Sequence, residues 1–182
     1  MFAVVEIIHN KLYAIQTGDG NDVFTECFEN WQNPLYIAEY LKNQPPILSF
    51  FGVGKKEARK LILKESEKFY TEILSIVRGE IPASTLDNYI FIPLHENDDF
   101  NIPLVATKAY GTASGKSFLR IYAIRLSDGS YLVVGGIIKL HRTMQESEEG
   151  KEILRKLKIW ENYLRKHGIG DAFDIVELIL NN

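Results

Sequence analysis

One cysteine among 182 residues leaves no internal disulfide to be made. Four histidines and that single thiol offer little for a zinc site. No run of 18 apolar residues occurs, which excludes a membrane-spanning helix. The opening MFAVVEIIHN has no basic lead and no small-residue cleavage site, so no secretory leader is expected and the cytoplasm is the expected compartment. Internal repeats, low-complexity tracts and long linkers are also missing. An excess of positive charge is lacking too: the net charge is −3, which argues against a generic nucleic-acid binder.

What is present fits one globular domain. Apolar residues make up 46% of the chain and charged ones 25%. A chain of this size buries roughly 70% of its unfolded surface, enough for a proper core. The charge is unevenly distributed. Residues 101–168 hold twelve Lys/Arg against six Asp/Glu, and the rest holds nine against eighteen. A basic module inside an acidic chain implies an anionic ligand, or shielding of one part by another. The plainer reading is a solvated helix face, since six of the twelve cations fall within 151–166.

The pattern along the chain predicts an α+β fold with a twisted antiparallel sheet packed by helices. Residues 2–8 and 11–16 read as an N-terminal hairpin turning at His9-Asn10. Asp22 is placed to cap one short helix, and Asn33-Pro34 to start a second. In residues 55–78, Ala58, Leu61, Ile62, Phe69, Ile73, Leu74 and Val77 recur at three- and four-residue steps, which predicts a long amphipathic helix. YIFIPL at 89–94 suits either a strand or an apolar loop. Three antiparallel strands are expected over 104–142, with a turn at Ser127-Asp128-Gly129. Gly135-Gly136 inside the last of them signals a bulge or a close backbone approach. A second long helix over 145–167 ends at Gly168, and a terminal helix starts at Asp171.

The basic segment carries the chemistry. Alternate side chains of a strand share a face, so Arg120 and Tyr122 point the same way. Lys139 and His141 share a face near the end of the next strand, Arg142 sits at the corner, and Lys108 comes from the strand before. Such a group of cations, a phenol and an imidazole suits metal-free RNA cleavage. There a 2′-OH must lose a proton, a phosphorane must be stabilised and a 5′ oxygen must gain a proton. Arginine binds phosphate oxygens bidentately and keeps its charge, and a lysine crowded by cations has a lowered pKa. The plainer reading is ordinary basic residues on the wet face of a sheet.

The stretch KAYGTASGKSFLRIYAIRLSDGSYLVVGGIIKLHRTMQE resembles the C-terminal core of the RelE/ParE toxin superfamily, most of all its HigB-like branch. Leu119-Arg120-Ile121-Tyr122 matches the strand in which an Arg is followed by a Tyr, and Gly136 to Thr143 matches the apolar strand with its basic end. The match covers about 104–146. It implies a RelE-like core over 101–168, preceded by an acidic hairpin and helical extension in 1–100 and followed by a C-terminal segment, 169–182. It also implies a metal-independent endoribonuclease that cleaves mRNA on the ribosome, needs no cofactor and is restrained by an antitoxin protein. Arg120 would bind the scissile phosphate and Lys139 would act as base or charge stabiliser. Arg142 would neutralise the phosphorane, and Tyr122 would stack on a base or orient the backbone. His141 has no counterpart in the family pattern and would act as acid or base in its own right. Lys108 and Lys116 would hold RNA. The chain is longer and more acidic than the family's usual members. Its first hundred residues could shield the basic face, dock a partner or mark a loss of nuclease activity. A RelE-fold module that binds protein or RNA without turnover is the alternative.

Other features have plain readings. Cys27 has apolar neighbours at helical spacing, as a buried structural thiol would. His95 lies in an acidic turn with Asp98 and Asp99, where a solvated loop is favoured over a metal site. GVGKKEARK at 52–60 lacks the spacing of a phosphate-binding loop, and its cluster of Lys55, Lys56, Arg59 and Lys60 reads as a wet helix face. Trp31 and Trp160 fall on apolar stripes and should pack in the core. The last segment mixes acidic and apolar residues, as in a helix that packs on the body or lies on a basic surface.

Overall fold

The computed structural model describes residues 2–44, 51–87, 89–95, 100, 103–111 and 117–180. The α+β class is as expected. A hairpin of β1 (Phe2–Ile8) and β2 (Leu12–Thr17) precedes three helices, α1 (Val23–Trp31), α2 (Pro34–Asn43) and α3 (Lys55–Val77). The three-residue strand β3 (Phe91–Pro93) follows, then β4 (Val105–Tyr110), β5 (Leu119–Arg125) and β6 (Tyr131–Ile138). Helices α4 (Glu148–His167) and α5 (Ala172–Leu180) complete the order.

The six strands form one sheet in the order β1-β2-β6-β5-β4-β3. It is mixed and not purely antiparallel: Leu12, Tyr13 and Ala14 of β2 pair in parallel with Tyr131, Leu132 and Val133 of β6. More than a hundred residues, including α1 to α3, separate these strands, so the chain can return in the same direction. Alternation within a strand identifies its faces and says nothing about the direction of its partner.

Local chemistry fixes the helix ends. Asp22 Oδ1 accepts the N–H of Phe24 at 2.9 Å and of Thr25 at 3.0 Å, capping α1. Asn33 Oδ1 caps α2 with Pro34 in its first turn. Ser147 Oγ accepts the N–H of Gly150 at 3.0 Å. Gly168, at φ 67°, ends α4 in the left-handed conformation. Asp171 Oδ1 accepts the N–H of Asp174 at the start of α5.

Two adjacent glycines show how the layers are arranged. A Cβ on Gly135 would lie 2.8 Å from Ile153 Cδ1 of α4. A Cβ on Gly136 would lie 2.8 Å from the Trp31 ring and 2.9 Å from Cys27 Sγ, both on α1. Successive strand residues face opposite ways, so α4 covers one face of the sheet and α1 the other. Both readings of this pair hold, because the register also shifts here. Tyr122 pairs with Gly135 and Ala123 with Val133, leaving Val134 as the extra residue of a bulge. Helix α5 buries Ala172 and Ile175 and packs by β1, so it is a packing helix at the far edge of the sheet. Trp31 and Trp160 are core residues, as expected.

Candidate functional site

A cleft of about 300 Å³ opens on the α4 face of the sheet. Its floor comes from two strands in register. Lys108 of β4 lies directly opposite Tyr122 of β5, and Tyr110 opposite Arg120. Lys139 and Arg142 enter from the segment after β6, followed by Thr143, Met144 and Gln145. Leu94 and His95 close the outer rim. Lys108, Arg120, Tyr122, Lys139 and Arg142 are therefore brought together. Lys116 lies outside the described residues. His141 is not among the residues that line the cleft, and its carbonyl accepts from Lys139.

The distribution of cations separates this site from the rest of the basic segment. On α4, Lys151, Arg155, Lys158 and Arg165 pair with Glu148, Glu152 and Glu161 along the exposed face. That half is the solvated helix face. Arg125 is bound to Asp87, with Nε 2.9 Å from Oδ1. The four cations that line the cleft make no ion pair among the described residues, and no described carboxylate lines it. Four cations gathered with no described carboxylate in the lining form an electropositive recess that an anion would relieve.

Backbone carbonyls hold three of these cations in place. Arg120 Nη1 donates to the carbonyls of Ser117 at 3.1 Å and Leu119 at 2.8 Å. Its guanidinium carbon sits 3.7 Å from the centroid of the Tyr110 ring. Lys108 Nζ donates to the Leu94 carbonyl at 3.1 Å, which ties the rim to the floor. Lys139 Nζ donates to the carbonyls of His141 at 2.8 Å and Arg142 at 2.6 Å, and so closes the turn after β6. Burial pushes the Lys139 ammonium below the ordinary lysine range, and the charges of Arg120 and Lys108 add to this while Glu146 opposes it. An ammonium has three protons, so each lysine keeps at least one for a ligand.

Tyr122 differs from its expected role. It is 1% exposed, and its hydroxyl donates to the Met144 sulfur. Burial raises its phenol above the ordinary range. A ring so enclosed cannot stack on a base; it supports the floor. The ring that can reach a ligand is Tyr110, half-buried beside Arg120. Two other lining residues escaped the sequence reading, His95 and Tyr110. Tyr110 was detectable, because it has the same alternation as Lys108. His95 was visible only as part of a polar turn.

Among the described residues of the first hundred, Leu94 and His95 line the cleft. Cys27 lies in a different cleft, of about 250 Å³, between α1, α2 and α4. Burial there pushes its thiol up to about 12, which makes it unreactive near neutrality. Among the described residues, no group of His, Cys, Asp and Glu is arranged to hold a metal ion, and no helix is long and apolar enough to cross a membrane.

Set against family models, curated proteins and solved structures, the chain matches none of them.

Proposed function

We propose that the chain grips RNA in this cleft and cleaves it without a metal, as a RelE/HigB-like toxin acting on translated mRNA. The observation that carries the reading is the convergence of Lys108, Arg120, Lys139 and Arg142, unpaired by any described carboxylate, on one recess beside an aromatic ring. In such a reaction the 2′ oxygen forms a bond to phosphorus and the bond to the 5′ oxygen breaks. The products are a 2′,3′-cyclic phosphate and a 5′-hydroxyl. The proton removed from the 2′ oxygen is balanced by the one delivered to the 5′ oxygen. Arg120 is suited to the non-bridging oxygens, since its second Nη is not engaged by the backbone carbonyls. Lys139, held by two carbonyls, suits charge stabilisation better than proton abstraction. Imidazole is the side chain suited to proton transfer near neutrality, and His95 is the imidazole at the rim.

A second reading is a RelE-fold module that binds RNA or a protein without turnover. The burial of Tyr122 and the two carbonyls on the Lys139 amine favour it. An antitoxin protein as partner belongs to the first reading, and so does the ribosome.

Expression of the chain, with mapping of mRNA 5′ ends, tests both. The nuclease reading expects growth arrest and new 5′-hydroxyl ends in chelator-treated reactions, both abolished by Arg120→Ala with Lys139→Ala. Binding without cutting selects the module. If RNA is neither bound nor cut, both RNA readings fail.

A further inference from the structure

One buried carboxylate lies behind the cleft, on the other face of the sheet. Glu65 of α3 is 8% exposed and makes no ion pair among the described residues. It occupies a position the helix turns inward, between Ile62 and Phe69. A buried carboxylate needs several donors, and this one has them. Oε2 accepts the N–H of Phe118 at 3.0 Å, and Oε1 accepts the N–H of Leu119 at 3.0 Å. The Ser117 hydroxyl also donates to Oε1.

Two of these residues also face Arg120 with their acceptors, while the Phe118 carbonyl accepts the N–H of Lys139. The carbonyls of Ser117 and Leu119 take the two hydrogen bonds of Arg120 Nη1. The short segment 117–119 is thus held by an anion through its donors and by a cation through its acceptors. The peptide group between Ser117 and Phe118 donates its N–H to Glu65 and accepts from Arg120 at its carbonyl, so it is polarised between opposite charges and each bond strengthens the other. Gly111, at the other end of the β4–β5 connection, completes the arrangement. Its N–H donates to the Leu119 carbonyl at 3.2 Å, and a Cβ there would overlap the Glu65 carboxylate. Tyr110, which stacks on Arg120, is the residue before it.

We propose that Glu65 is a positioning residue for the anion-binding Arg120, acting through the peptide groups of residues 117–119. This rests on the RNA reading for its functional consequence, but not for its structural content. The carboxylate fixes segment 117–119, the carbonyls of Ser117 and Leu119 aim one Nη of Arg120, and the second Nη, which neither carbonyl engages, is left for the ligand. Glutamine at this position has one acceptor oxygen, and its amide group would oppose a backbone N–H.

Two measurements on the whole protein test this. The first is RNA affinity in a double-mutant cycle with a short single-stranded RNA as probe. Glu65→Gln should weaken binding about tenfold alone, and by less than about twofold when Arg120 is already alanine. A purely structural role would lower affinity equally in both backgrounds, which overturns the proposal. The second is the NMR signal of the Arg120 guanidinium protons, read without RNA. These should be slow to exchange in the wild type and lose that protection in Glu65→Gln, with Ser117→Ala as the milder variant should the first fail to fold. Unchanged Arg120 signals in the folded variant overturn the proposal. If those signals change but the wild type binds no RNA, the positioning role stands and the RNA reading falls.

Discussion

The guanidinium of Arg120 stacks 3.7 Å above the ring of Tyr110, its directly paired neighbour across β4 and β5. The pair is set by register, since one residue of slip would send one of the two to the opposite face. Stacking desolvates one side of the guanidinium and fixes its plane, so little entropy remains to be lost when an anion binds.

The pair yields the first prediction. Arg120→Ala should weaken RNA binding about tenfold or more, the scale of one lost charge-assisted contact. Tyr110→Phe should retain most of the affinity, and Tyr110→Ala should lose about 0.5–1 kcal/mol of it. Fluorescence anisotropy with a short single-stranded RNA measures both.

The Lys139 ammonium gives a pH prediction. Its folded value lies below the ordinary lysine range, because burial and the neighbouring Arg120 and Lys108 disfavour the charge. On the RNA reading the charged form would bind phosphate, and it is lost as pH rises through that lowered value. Affinity should therefore fall on the alkaline side before an exposed lysine would titrate. Lys139→Arg should shift this decline to higher pH, because arginine stays charged. A binding curve against pH for both proteins checks the sign.

A structural prediction concerns Asp87. Burial works to raise its carboxyl, but hydrogen bonds from Arg125 and Tyr131 hold it below the usual aspartate range. A carboxylate with a depressed folded value contributes stability above its unfolded value, and loses it as pH falls through the folded one. Asp87→Asn should destabilise the fold by about 1–2 kcal/mol at neutral pH, kept modest by the partial exposure of the carboxylate, and by less below about pH 4. Urea unfolding at the two pH values measures this. An equal loss at both would contradict it.

Gly136 gives a packing prediction. A Cβ there would lie 2.9 Å from the Arg120 carbonyl oxygen, a backbone atom that cannot rotate away. Gly136→Ala should cost about 1–3 kcal/mol by overpacking. It should also disturb the cleft, because Arg120 belongs to the strand being pushed.

Most of this fold is readable from the sequence, for identifiable reasons. Asp22, Asn33-Pro34 and Gly168 are local signals, and each marks its helix end. That Lys108 and Tyr110 share one face of β4, and Arg120 and Tyr122 one face of β5, follows from alternation; their direct pairing is set by the register. The parallel join of β2 to β6 was not readable, because it depends on a partner distant in sequence. The apolar spacing of α3 places Leu61 on its inward line, yet Leu61 is 37% exposed and the buried period runs through Ala58, Ile62, Glu65, Phe69, Ile73 and Ile76. Glu65 was hidden by its own charge: the spacing pointed inward, and the residue type pointed outward. The enclosure of Tyr122 was hidden for a related reason, since the Met144 that covers it follows the turn after β6.

The central claim is that the four cations lining the cleft, two on the sheet and two on the segment after β6, hold the phosphates of RNA. The most direct test is the salt dependence of single-stranded RNA binding by the wild type and by Arg120→Ala, Lys108→Ala and Lys139→Ala. Each variant should bind more weakly and reduce the slope of log affinity against log salt by about 0.7, the value for one phosphate contact on a single strand. Variants with the wild-type slope and affinity, or a wild type whose RNA binding ignores salt, would contradict the account.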